Sequence, residues 1–357
     1  MSPEDYFPRH YRAARKAFVA ACQSAGIDVI SRVHPTAQGP DGKPLFLDSA
    51  AIGPRDAKKA LLLISGTHGV EGYFGSGVQT GLLREGLAAP KDARIVLLHA
   101  LNPYGFAWDR RVNEENVDLN RNFVDHARPP VNIEYELLKS AIAPRDISPE
   151  AMAAAEAMLD GYAQSHGAFE LQDAITRGQY RHADGLFFGG ARECWSAKML
   201  RAVLGEDLAR VKELTVLDFH TGLGTSGAGE LIVEDLPGSA AHDRALRIWG
   251  AAARSSTAGE SVSAILTGTI EQGLQSWLGE AAMTFAVLEV GTCPDVLTAL
   301  RRDNWLHNFA APDEAALAGA GIAREMRDAF YCDEPEWKRA VWRQAQNAVN
   351  AALKALE

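Results

Sequence analysis

The chain has 357 residues, 47% of them hydrophobic and 23% charged, a globular balance with length enough for one large α/β domain. A formal net charge of -10 and a pI of about 5.5, with no run of basic residues, argue against nucleic acid or an anionic membrane as partner. No apolar stretch approaches the ~20 residues that span a bilayer, and Met1 to Val19, broken by Pro3 and Pro8, lacks the apolar centre of a signal peptide.

A helix is predicted over residues 5–25, then short strands at 28–33 and 44–47 around the Gly-Pro-Asp-Gly turn at 39–42. Residues 60–65 (ALLLIS) are continuously apolar, as a buried central strand should be, and end in Gly66-Thr67-His68-Gly69. A helix over Gly72–Arg84 and a second buried strand over Ala93–His99 complete a βαβ unit. Such a unit implies a mixed, mostly parallel central sheet flanked by helices. Residues from about 130 to 204 are helical and alanine-rich in pattern, turning to glycine around 178–190. Sheet strands lie on both sides, at 214–219 (LTVLDF) and 284–290 (TFAVLEV), so this segment is expected as an insertion within a single domain, 1–357. Two amphipathic helices, joined near residues 332–335, close the chain. The cysteines Cys22, Cys194, Cys293 and Cys332 stand far apart without a CxxC pair. They are expected as free thiols of a cytoplasmic protein.

Chemistry concentrates after the first buried strand. His68 and Glu71 stand three residues apart on a turn that enters a helix, where both groups can aim at one point and ligate zinc. Alone, the pair reads more readily as an exposed loop histidine and a helix-starting glutamate; the flanking Gly66, Gly69 and Gly72, which permit close backbone approach, favour the ligand reading. Downstream come Asn102-Pro103-Tyr104-Gly105, then Arg111, then Asp118-Leu119-Asn120-Arg121-Asn122-Phe123. HxxE, NPxG and an arginine ten residues before that of DLNRNF together resemble the zinc carboxypeptidase superfamily. That group spans carboxypeptidase A-like enzymes, peptidoglycan-peptide amidases and the aspartoacylase/succinylglutamate desuccinylase deacylases. The resemblance implies a further histidine ligand at the end of a later strand, matched by His220 in Asp218-Phe219-His220. It also implies a catalytic glutamate at another strand end, matched by Glu289 in Leu288-Glu289-Val290-Gly291.

Under that resemblance, His68, Glu71 and His220 hold one Zn²⁺ ion, and Glu289 takes a proton from the water it activates. Arg111 stabilises the developing oxyanion, with the adjacent Arg110 as its competitor. Asn120 and Arg121 grip a carboxylate of a small acidic or carboxylate-bearing substrate, and Asp118 fixes the tautomer of His68. The tyrosine that carboxypeptidase A-like enzymes carry shortly before the glutamate is missing between Arg181 and Phe330; Tyr180 of the insertion is the candidate to swing over the site and bind substrate, with packing of a helix end as its alternative. Residues 185–190 (GLFFGG) are expected as a hinged lid and 221–229 (TGLGTSGAG) as a flexible wall. Serine-hydrolase GxSxG and thermolysin-like HExxH patterns are absent. The rival from a different class is a binding protein that keeps the zinc site without turnover.

Overall fold

The computed structural model describes residues 2–259, 266–292 and 296–357. Among these, one mixed sheet contains β1 (Val29–Gln38), β2 (Pro44–Ile52), β3 (Lys59–Ser65), β4 (Ala93–His99), β5 (Glu213–Ser226), β6 (Gly229–Val233), β7 (Ala253–Ser255) and β8 (Ala282–Gly291). Their spatial order is β1-β2-β4-β3-β5-β8-β6-β7. The centre, β4-β3-β5-β8, is parallel throughout, while β2 and β6 run antiparallel to it on either side.

The apolar run of β3 explains its central place. Leu61 and Leu63 enter the core on one face, and Ala60, Leu62 and Ile64 enter that on the other, so the strand buries both sides. Helices Tyr11–Ser24, Gly72–Arg84 and Pro335–Leu356 cover the first face through Phe18, Phe74 and Trp342. Helices Trp195–Asp207 and Ile270–Leu278 cover the second through Leu200 and Leu274. A third apolar cluster joins helices Ile133–Ile142, Pro149–His166, Ala168–Thr176, Val296–Asn308 and Pro312–Phe330, and reaches Val70 just beyond β3.

The observed α/β architecture is the expected one, with element ends shifted. The short β6 and β7 were not anticipated; β7 has only three residues, too few for a period to register. Cys22 and Cys194 are buried thiols, and Cys293 lies outside the described residues. Among the described residues no helix is long and apolar enough to cross a membrane.

Candidate metal centre

Gly66, at φ 67°, turns the chain out of β3 in a conformation that favours glycine. His68 follows, and Gly69–Glu71 form one 3₁₀ turn that runs into the helix Gly72–Arg84. A Cβ on Gly69 would stand 2.0 Å from the backbone carbon of Gly105, so only glycine lets this turn lie against the Asn102-Pro103-Tyr104-Gly105 segment. The amides of Gly69 and Val70 donate to the carbonyls of Arg111 (3.1 Å) and Arg110 (2.9 Å), which ties the two motifs together. In the sheet, Ser65 pairs with Phe219, and His220 with Glu289. The carboxyl ends of β3, β5 and β8 thus deliver His68, His220 and Glu289 to one place, where parallel sheets put their sites.

The three expected ligands converge. His68 Nδ1 lies 2.8 Å from one Glu71 oxygen, His220 Nδ1 lies 2.9 Å from the other, and the two Nδ1 atoms are 3.2 Å apart. Ligand atoms placed tetrahedrally around zinc at about 2.1 Å stand roughly 3.4 Å from one another, close to this spacing. The far nitrogens supply the stronger test. His68 Nε2 is 3.1 Å from Asp118 Oδ1, and His220 Nε2 is 2.8 Å from Asp218 Oδ2. A carboxylate beside each Nε2 places the proton there and leaves the Nδ1 lone pairs facing each other and Glu71. Lone pairs so arranged call for a positive charge between them, and the residues therefore fit a metal ion. The electrostatics of these residues by themselves show the same demand for positive charge, which protons there can meet. Burial alone would raise the Glu71 carboxyl, but His68 and His220 outweigh it and hold it well below the usual carboxylate range. For His220, burial is outweighed by Asp218 and Glu71, which push its imidazole well above the usual value.

Asp218 was not singled out from the sequence, although its place two residues before His220 on one strand puts both on the same face. Thr67 Oγ1 donates to Asp218 at 2.9 Å, which anchors this second support.

Glu289 is 8% exposed and accepts from the Leu223 amide at 3.0 Å through Oε1; its other oxygen has no hydrogen bond among the described residues. Burial, then the nearby Glu71 charge, push its carboxyl up to about 7. Arg111 donates from Nε to Asp118 (3.0 Å) and from Nη1 to Glu71 (3.2 Å). Arg110 points elsewhere, to Asp303 and Asn116. Arg121 is buried and donates to the carbonyls of Thr176 (2.8 and 2.6 Å) and Asn120 (2.7 Å), which leaves one N–H on each Nη for an end-on acceptor. Asn120 accepts from the Ile270 amide at 2.9 Å through Oδ1, and its NH₂ makes no hydrogen bond among the described residues.

These groups line one cleft of about 530 Å³, together with apolar Leu171, Ile175, Phe187 and Phe330. Three expectations are corrected there. Tyr180 does not face the cleft; its hydroxyl donates to the Arg121 carbonyl at 2.7 Å, so it supports the backbone of Arg121. Residues 185–190 are not a hinged lid: Leu186, Phe187 and Phe188 are buried, and Phe187 lies 5.6 Å and 5.8 Å from the Arg111 and Arg121 guanidinium carbons. Residues 221–224 do wall the cleft, but as the end of the strand β5 rather than as a loose loop, with Thr221 Oγ1 donating to the Phe330 carbonyl at 2.6 Å.

A family model described as "Protein of unknown function (DUF2817)" matches residues 7–344. No curated protein sequence matches the chain. In structure the chain is similar to carboxypeptidase A from Helicoverpa armigera, at 13% identity and TM-score 0.46, covering 92% of this chain and 75% of that one. It is also similar to a metallo-carboxypeptidase from Burkholderia cenocepacia, at 12% identity and TM-score 0.44, covering 99% and 71%. A succinylglutamate desuccinylase from Silicibacter sp. TM1040 is similar at 14% identity and TM-score 0.38, covering 79% and 65%.

Proposed function

The chain belongs to the DUF2817 family of proteins of unknown function, and we propose that it is a zinc-dependent amide hydrolase. Its substrate is a small acylated amino acid or short peptide with a free carboxylate near the scissile bond. The observation that carries this reading is the convergence of His68 Nδ1, Glu71 and His220 Nδ1, beside a glutamate with a free oxygen. When bound there, zinc supplies a Lewis acid that lowers the pKa of a water toward ~7.

The protein's own groups account for the rest. Glu289 accepts a proton from the attacking water as its oxygen bonds to the amide carbon. It then returns that proton to the amine nitrogen as the C–N bond breaks, yielding a carboxylic acid and an amine, and the acid's remaining proton passes to the amine to leave carboxylate and ammonium. Arg111, fixed by Asp118 and Glu71, presents its remaining N–H groups where the amide oxygen gains charge. The free N–H groups of Asn120 and Arg121 take the substrate carboxylate. Leu171, Ile175, Phe187 and Phe330 exclude water and receive an apolar part of the substrate.

The test is to load the chelator-stripped protein with zinc and screen N-acyl amino acids and short peptides with mass detection of products. Turnover that appears with zinc and is lost with chelator supports the reading. Stoichiometric zinc binding without cleavage of any of them would make the chain a zinc-site binding protein.

A further inference from the structure

A second group of carboxylates adjoins the cleft and takes no part in the reaction above. Glu230 pairs with Glu289 and Ile232 with Val287 across the β6–β8 ladder. Glu234 is the first residue beyond the end of β6 at Val233. It lines both the metal cleft and an adjoining cavity of about 460 Å³. Asp235, Ser256 and Glu271 line that cavity too. Glu271 is 8% exposed and Ser256 5%, yet Glu271 Oε2 and Ser256 Oγ have no hydrogen-bond partner among the described residues. Such groups are costly when buried and unsatisfied. None of the three carboxylates forms a salt bridge among the described residues; Thr269 Oγ1, at 3.3 Å from Glu234, is the hydrogen-bond donor they have. Burial, then Glu234 and Asp235, push the Glu271 carboxyl well above its usual value.

The place of this cluster relative to the carboxylate anchor identifies its ligand. Asn120 Oδ1 holds the amide of Ile270, the residue before Glu271, and Arg121 acts electrostatically on Glu234. A divalent ion is disfavoured, because His68, Glu71 and His220 are the one group of three such side chains, among the described residues, whose ligand atoms come within 4.8 Å of one another. An organic cation, with donors spread over several ångströms, matches better.

We propose that Glu234 and Glu271, with Ser256, form a subsite for an ammonium or guanidinium group on the substrate whose carboxylate Asn120 and Arg121 hold. The preferred residue is therefore a basic amino acid. This rests on the hydrolase reading for its substrate, but binding alone can test it.

Calorimetric titration of the zinc-loaded full chain with L-arginine against L-citrulline, and L-lysine against L-norleucine, compares ligands that differ in one charge. The basic partner of each pair should bind about tenfold or more tighter, and Glu271→Gln and Glu234→Gln should each bring the ratio to within about twofold. Melting curves confirm that the variants fold. Equal affinities in the wild type, absence of binding by either basic ligand, or an unchanged ratio in both variants overturns the subsite. A preference lost in the variants while neither Nα-acetyl-arginine nor any other N-acyl amino acid or peptide of the screen is cleaved upholds the subsite and removes the hydrolase reading. Cleavage of Nα-acetyl-arginine and Nα-acetyl-citrulline at equal rates, with no difference in binding, does the reverse.

Discussion

Glu289 and Glu71 are both buried at the same end of the sheet, but what surrounds their carboxyls divides their work. Glu71 lies between two imidazoles and beside Arg111, so it stays ionised and suits a cation. Glu289 has one backbone N–H and is pushed up to about 7, mainly by burial, so it suits a proton. Glu289→Gln should therefore lower kcat by roughly 10²–10⁴ with zinc content unchanged; near-normal turnover would assign the base elsewhere. Asp218 reaches the cluster through His220 Nε2 and is itself held by Thr67 Oγ1. Asp218→Asn should weaken zinc binding by about 10–100-fold in competition with a chelating dye, and unchanged affinity would mean that His220 needs no support. Arg121 is separable from the reaction because three of its N–H groups serve the protein's own carbonyls. Pairing Arg121→Ala with a carboxamide substrate gives a double cycle, with an expected coupling on the order of 2–5 kcal/mol. Additive effects within a few tenths of a kcal/mol would deny it the substrate carboxylate.

At the scale of elements, the site depends on a three-residue turn pressed against another chain segment. The Gly69–Glu71 turn lies against Gly105, whose backbone leaves no room for a methyl group. Gly69→Ala should cost about 1–3 kcal/mol or more in unfolding free energy, since the obstacle is backbone rather than a side chain that can swing away. It should also lower zinc affinity, because His68 and Glu71 flank the displaced residue; calorimetric melting and metal titration read the two effects. Normal values for both would show that the contact relaxes. The segments expected to move are packed instead. The glycines of 185–190 suggested hinges, whereas the intervening Leu186, Phe187 and Phe188 are anchored in the interior, and Tyr135 Oη donates to the Leu186 carbonyl at 3.0 Å. Glycine content reports conformational freedom of the isolated chain, and packing removes it.

For the whole molecule, the centre joins β3, β5 and β8 with the 102–121 segment, so a ligand of the native site favours folding of all of them. Zinc at about 100 times its dissociation constant should stabilise the native state by about 2.7 kcal/mol. The melting temperature should then rise with zinc concentration and fall on chelation. No response to zinc, with His68→Ala melting as the wild type does, would separate the cluster from any metal. The cleft itself belongs to this scale, since its walls come from helix Ala168–Thr176, helix Val296–Asn308 and the β5 end.

What the sequence by itself determined is local. An unbroken apolar run identifies a strand buried on both faces, as at 60–65, because each side chain there must leave water whichever way it points. His68 and Glu71 fall on one turn because three residues is the span of that turn. The motif order around Arg111 and DLNRNF pointed to Arg111, Asn120, Arg121, His220 and Glu289, which the fold brings to one cleft; Tyr180, which does not face it, and Asp218, which the motifs did not single out, are the exceptions. Tertiary structure alone decided the contacts between segments far apart in the chain. Which arginine faces Glu71 depends on how the 102–111 loop folds back onto the 69–71 turn, and adjacent Arg110 and Arg111 differ in sequence by one position only. The approach of Asp118 to His68 across fifty residues, and of Glu234 and Glu271 to one cavity, depends likewise on strand order and helix packing. Neither leaves a periodic signal in the chain, because a pairing between distant residues is fixed by the fold that closes the loop between them.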